Sequence, residues 1–208
     1  MEVLRDLDLE QEAMLHATPN DLMGNNVFCT SLAGEELGRM RSWGADPMTQ
    51  ARHRIASPTT MVDLPQTFMA QLTSLLTRGA MSQFPGLRFV LVEGGFGWVP
   101  HLLWRLDKNW KGLRSTVPWL DRLPSEYVLD RVRFTSQPVE EPASSDQLLE
   151  LLHMMQAERT LMFSSDYPHW DNDHPQRAFP KKLPAERKER IFWKNAAVLY
   201  RLPIPNHQ

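Results

Sequence analysis

This chain has almost nothing with which to cross-link itself. One of its 208 residues is cysteine, Cys29, so no disulfide can close within it. A chain without internal disulfides fits a reducing compartment, and the expected location is cytoplasmic. The N-terminal stretch MEVLRDLDLEQEAML alternates acids with apolar residues and lacks the apolar core of a signal peptide. No run approaches the roughly 18 apolar residues that a membrane span needs, so no membrane partner is expected. There is no basic excess either. Lys and Arg number 23 against 25 Asp and Glu, for a net charge of −2, which argues against nucleic acid as a partner. What remains is 42% hydrophobic and 23% charged, ordinary for one soluble globular domain with a real core. Proline, at 16, and tryptophan, at 7, are plentiful. They suit loops carrying aromatic side chains around a cleft for a small-molecule substrate, or equally rigid surface loops and core tryptophans.

Residues 1–60 are poorly patterned and are read as a separate N-terminal segment preceding the main unit, 61–208. Within them, 2–15 is expected to be an amphipathic helix, 25–32 to contain a short strand and 34–41 a second helix. From residue 61 the signals sharpen. Leu64, Phe68, Leu72, Leu75 and Leu76 recur at helical spacing, with Asp63 as cap and Pro65 in the first turn. RFVLV, residues 88–92, is a short apolar run ending in Glu93-Gly94-Gly95, as a buried strand would. Helices are expected over 98–113, 146–158 and 186–199, and further strands over 132–135 and 160–164. Short apolar strands alternating with amphipathic helices imply an α/β fold with a parallel sheet covered by helices.

In such folds the reactive groups stand at the C-terminal ends of the strands. Glu93 follows the first strand. A carboxylate there can ligate a metal or serve as a general base, or it can accept backbone N–H bonds from the next loop. Thr135-Ser136-Gln137 follows the second strand and is read as capping it rather than touching substrate. The third strand end is the richest, SSDYPHWDNDH over residues 164–174. An aspartate directly after a buried strand, Asp166, suits a divalent ion or proton transfer, with His169 three residues on; the alternative is a polar turn.

Four stretches carry a resemblance: FPGLRFVLVEGGFGWVPHLLWRLDKNW, LPSEYVLDRVRFTSQPVEEP, LMFSSDYPHWDNDHP and IFWKNAAVLYRLP. In this order and spacing, residues 84–202 resemble the amidohydrolase-related family that contains aminocarboxymuconate-semialdehyde decarboxylase and the resorcylate-type decarboxylases. The resemblance implies a (β/α)8 TIM-type barrel whose sixth, seventh and eighth strands are the three above. It implies a metal-dependent hydrolase or non-oxidative decarboxylase acting on a small carboxylated or cyclic substrate. Asp166 falls on the strand-eight aspartate, which binds the metal and assists proton transfer. Glu93 falls where the decarboxylases commonly carry a histidine in an H-G-G-like motif, and His169 on a histidine of the D-Y-P-H-W-D variant. Catalytic roles are therefore expected of Glu93, Asp166 and His169, substrate contacts of Trp98 and Trp170, and a divalent ion, zinc, at Asp166.

The family's first strand supplies His-x-His or Glu-x-His, and its fifth a further histidine. Neither first-strand motif occurs near this N-terminus, and His16 and His53 are poor matches to the fifth-strand position. A barrel of this type runs to about 250 residues. The expectation is therefore the C-terminal part of a barrel, whose open strand edges and apolar faces favour a homo-oligomer. The rival expectation is a non-catalytic truncated fragment or an assembly partner of a fuller subunit.

Overall fold

The structure, a computed structural model, describes residues 14–17, 28–29, 58–169 and 171–203. A five-stranded sheet organises them in the order β2-β1-β3-β4-β5. The strands are β1 (Met14–Ala17), β2 (Phe28–Cys29), β3 (Arg88–Leu91), β4 (Val132–Thr135) and β5 (Leu161–Met162). The three expected strands are adjacent and parallel. Leu91 pairs with Phe134, and Phe134 with Leu161. The described residues thus form an α/β fold built on a parallel sheet, with β2 alone antiparallel.

Helices join the strands. They are α1 (Pro58–Thr77), α2 (Ala80–Gln83), α3 (Val99–Leu113), α4 (Pro124–Arg131), α5 (Ser145–Met154) and α6 (Ala157–Thr160). After β5 come α7 (Ala185–Glu189), a π-helical turn (Arg190–Lys194) and α8 (Asn195–Leu199). Helix α5 starts as its sequence dictates. Ser144 accepts the Gln147 N–H at 3.3 Å, and the Gln147 side chain accepts the Ser144 N–H at 3.1 Å.

Strand alternation builds the core. Phe89, Leu91, Val132, Phe134 and Leu161 join one buried cluster with Phe68, Leu72 and Leu76 of α1 and Leu152 of α5. Burying such side chains supplies about 1.5–3 kcal/mol each. That face carries the helices.

Five expectations need correction. The helix read as capped by Asp63 begins at Pro58, so Pro65 lies inside it, and the helix over 146–158 is broken at Gln156, whose φ is +52°. The helix over 2–15 fails at its end, because Met14 and Leu15 lie in β1, held by parallel pairing to β3. The remainder of that helix, the helix over 34–41 and His53 fall outside the described residues. The strand over 160–164 shortens to two residues. Thr160 instead ends α6, its hydroxyl donating to the Met155 carbonyl at 2.9 Å. The helix over 186–199 is interrupted by the π turn. There the Ile191 carbonyl accepts the N–H of Phe163 at 2.8 Å, beyond β5.

That contact also caps the sheet. Met162 faces β4 through its carbonyl, which accepts the Ser136 N–H at 2.9 Å. Leu161 and Phe163 therefore face outward. The outward Leu161 carbonyl accepts the Asn195 side-chain amide at 2.7 Å, and Phe163 is taken by Ile191. Phe192 stacks on Phe163 with centroids 4.7 Å apart. The C-terminal helices thus occupy the edge of β5 that another strand would otherwise use.

Candidate functional site

Parallel strands place their C-terminal ends on one side, so the loops after β3, β4 and β5 meet there. Polar groups tie them together. The Glu93 N–H donates to the Thr135 hydroxyl at 3.0 Å, joining the ends of β3 and β4. Ser136, fully buried, accepts the Ser164 N–H at 3.1 Å, while Ser164 accepts the Gln137 N–H at 3.1 Å. Thr135-Ser136-Gln137 therefore fastens strand ends.

Two acids missed by sequence reasoning complete the fastening. Glu140, in the loop after β4, accepts the N–H groups of Phe96 and Gly97 at 3.2 and 2.8 Å. Asp173, in the loop after β5, accepts the Val139 N–H at 3.0 Å. The dipeptide Val139-Glu140 is thus the joint between all three loops. A side chain at Gly95 would start 2.9 Å from the Glu140 carboxylate, and the left-handed backbone there, φ +61°, already favours glycine. Gly94 is fixed by packing, since an added Cβ would come 2.5 Å from the Phe68 ring. The signal for Glu140 was present in the QPVEEP stretch, but nothing local marks which acid faces inward.

Within this frame stand the carboxylates. Glu93 has φ +62° and Asp166 φ +54°, left-handed conformations that side-chain-bearing residues adopt at a cost of about 1–3 kcal/mol. Both strand-end acids are held in this way. Asp166 Oδ2 lies 2.9 Å from Nδ1 of His169, and the Asp166 carboxyl is only 18% exposed. The His169 N–H of the backbone returns to the Asp166 carbonyl at 2.9 Å, closing the turn that folds the imidazole back. Asp171 joins them: one ligand atom from each of Asp166, His169 and Asp171 lies within 4.8 Å of the others. Burial raises the Glu93 carboxyl above its ordinary range, the Asp166 charge raises it further and Asp171 adds to this, while His169 opposes. These four groups therefore share one electrostatic neighbourhood.

One imidazole nitrogen and two carboxylate oxygens form a donor set suited to a divalent ion with open positions left for water or substrate. Asp171 was quoted in the sequence motif but not assigned there. The Trp98 indole N–H donates to the Gly94 carbonyl at 2.9 Å and its ring stands edge-on to Phe134, centroids 5.7 Å apart. It buttresses the loop behind Glu93. Trp170 falls outside the described residues. His101 and His153 are exposed on α3 and α5. Strand β1 neighbours β3, with His16 in register with Val90.

Comparison with known proteins gives two kinds of likeness. The family model described as amidohydrolase matches residues 14–202. Among solved structures, 5-carboxyvanillate decarboxylase from Sphingomonas paucimobilis is 26% identical at a TM-score of 0.51, covering 66% of this chain and 40% of that one. The 5-carboxyvanillate decarboxylase from Novosphingobium aromaticivorans, complexed with manganese and 4-hydroxy-3-methoxy-5-nitrobenzoic acid, is 21% identical at 0.51. It covers 76% of this chain and 44% of that one, and shows the fold alone. Among curated proteins, 2,4-dichlorophenol 6-monooxygenase of Cupriavidus pinatubonensis is 59% identical over 69 residues, 33% of this chain and 12% of its own length. The chain thus spans less than half of each of these relatives.

Proposed function

The chain belongs to the amidohydrolase family, and from that premise we propose that it is built for metal-dependent, non-oxidative decarboxylation of a small phenolic acid. The observation that carries this reading is that Glu93 and Asp166, the acids that follow β3 and β5, share one electrostatic neighbourhood in which burial raises the Glu93 carboxyl above its ordinary range. Replacing a carboxylate on a ring requires a proton at the ring carbon. Glu93 is placed to give it; the C–C bond then breaks, its electron pair returns to the ring, and CO2 leaves. Water returns a proton to Glu93. Asp166 and His169 hold each other in orientation, and Trp98 keeps the Glu93 loop in place.

A divalent ion held by Asp166, His169 and Asp171 would polarise a substrate oxygen. Zinc was the expectation; manganese, present in the Novosphingobium relative, is the better first ion to test.

The 26% identity to a 5-carboxyvanillate decarboxylase supports decarboxylation over hydrolysis. The monooxygenase likeness supports the substrate class, because a phenolic acid that loses CO2 becomes a phenol, the class for which the Cupriavidus relative is named. The test is incubation of the purified chain with manganese and hydroxybenzoates, following CO2 and phenol by chromatography. Product from wild type and none from Glu93→Gln is expected; equal product from both overturns the role of Glu93.

A second reading is favoured by the spans. A chain covering 40% of a solved relative can act as the assembly partner of a fuller subunit, or as a homo-oligomer that shares ligands across copies. In that case turnover appears only when the partner is added.

A further inference from the structure

A cavity of about 470 Å³ lies at the opposite end of the sheet from the acidic loops. Arg133 is the second residue of β4 and Arg159 stands two residues before β5, at the N-terminal ends of the strands. These two, with Arg187, Arg190, Glu158 and Glu186, line the cavity. Four guanidinium groups thus face two carboxylates. Arg133 spends hydrogen bonds on backbone carbonyls, with Nη1 donating to Val132 at 2.8 Å and Leu129 at 3.3 Å. Among the described residues no carboxylate comes within ion-pairing distance of it. Burial, and then the charges of Arg88 and Arg159, hold it below the usual guanidinium range against the pull of Asp130. Glu158 does not offset this cleanly. Its Oε2 is 3.4 Å from Arg187 Nε, yet that oxygen is buried without a hydrogen bond. The cavity therefore offers surplus positive charge, four guanidinium groups against two carboxylates of which one is already held by Arg187.

We propose that this cavity binds a phosphate group. Guanidinium forks match the oxygens of a tetrahedral oxyanion. The site is remote from the Glu93–Asp166 loops and stands independently of the proposed reaction.

Calorimetric titration of the chain at about pH 6 and constant ionic strength tests this, with inorganic phosphate, glycerol 3-phosphate and sulfate as titrants. Phosphate is expected to bind saturably, with sulfate competing as a second tetrahedral oxyanion. Equal affinity for glycerol 3-phosphate assigns the site to the phosphate head of a larger molecule, and binding of inorganic phosphate alone to the free ion. Arg159 and Arg190 are exposed, so R159Q/R190Q should fold, as circular dichroism can verify, and lose about tenfold in phosphate affinity. No saturable phosphate binding in wild type, or binding unchanged in R159Q/R190Q, overturns the proposal.

Discussion

His169 Nδ1 lies 2.9 Å from Asp166 Oδ2, three residues before it in the chain. The imidazole is 67% exposed and the carboxylate 18%, so the contact brings a solvated ring onto a largely buried acid. The fixed partner owes its position to a left-handed backbone at the end of β5, and β5 owes its position to β4 and the C-terminal helices.

Glu140 carries the loop behind Glu93. Glu140→Ala removes the acceptor of two N–H groups and should cost about 1–3 kcal/mol in urea unfolding. Glu140→Gln retains one carbonyl oxygen and should cost distinctly less. Equal losses from the two variants would mean that the side chain acts by packing rather than as an acceptor.

Asn195 is 6% exposed and its amide serves the carbonyls of Leu161 and Ala157, at 2.7 and 3.3 Å. Asn195→Ala leaves both carbonyls buried without that donor, for a loss of about 1–3 kcal/mol. Hydrogen exchange should show the loss as faster exchange of the Phe163 amide, whose acceptor Ile191 lies on the same helical segment. Unchanged exchange at Phe163 would uncouple Asn195 from the strand edge.

The strands β3 and β4 were readable because each is a short apolar run closed by glycine or by polar caps. β1 was not, because the strand state of Met14–Ala17 comes from pairing with β3, 74 positions away in register at Met14 and Arg88, and no local pattern reports a distant partner. The π turn was hidden for the same reason: Ile191 and Phe192 keep helical spacing while the Ile191 carbonyl is diverted to Phe163. At the site, Glu93, Asp166 and His169 stand out as polar groups at strand ends. Asp171, Asp173 and Glu140 lie in loops rich in acids, where sequence cannot say which carboxylate turns inward and which turns to water.

Glu93 predicts a pH dependence in the metal-free protein. Its folded-state carboxyl titrates above the ordinary value, through burial first and the Asp166 charge second. The folded chain then holds that proton more tightly than the unfolded chain. Stability from this group is present below the unfolded pKa and is lost as pH rises through the folded one. Thermal melts in chelator should show wild type gaining on Glu93→Gln as pH falls through that window. Parallel curves for the two proteins would place Glu93 in an ordinary, solvated setting.

The central claim is that Asp166, His169 and Asp171 hold one divalent ion. The direct measurement is manganese titration of the purified chain, followed by the loss of the free-ion electron paramagnetic resonance signal, for wild type, Asp166→Asn and Asp171→Asn. With family ligands from the first strand unassigned in this chain, wild-type binding is expected to be weak but saturable at one ion per chain, and weakened about tenfold or more by either substitution. Binding that neither substitution alters would place the ion elsewhere and contradict the account.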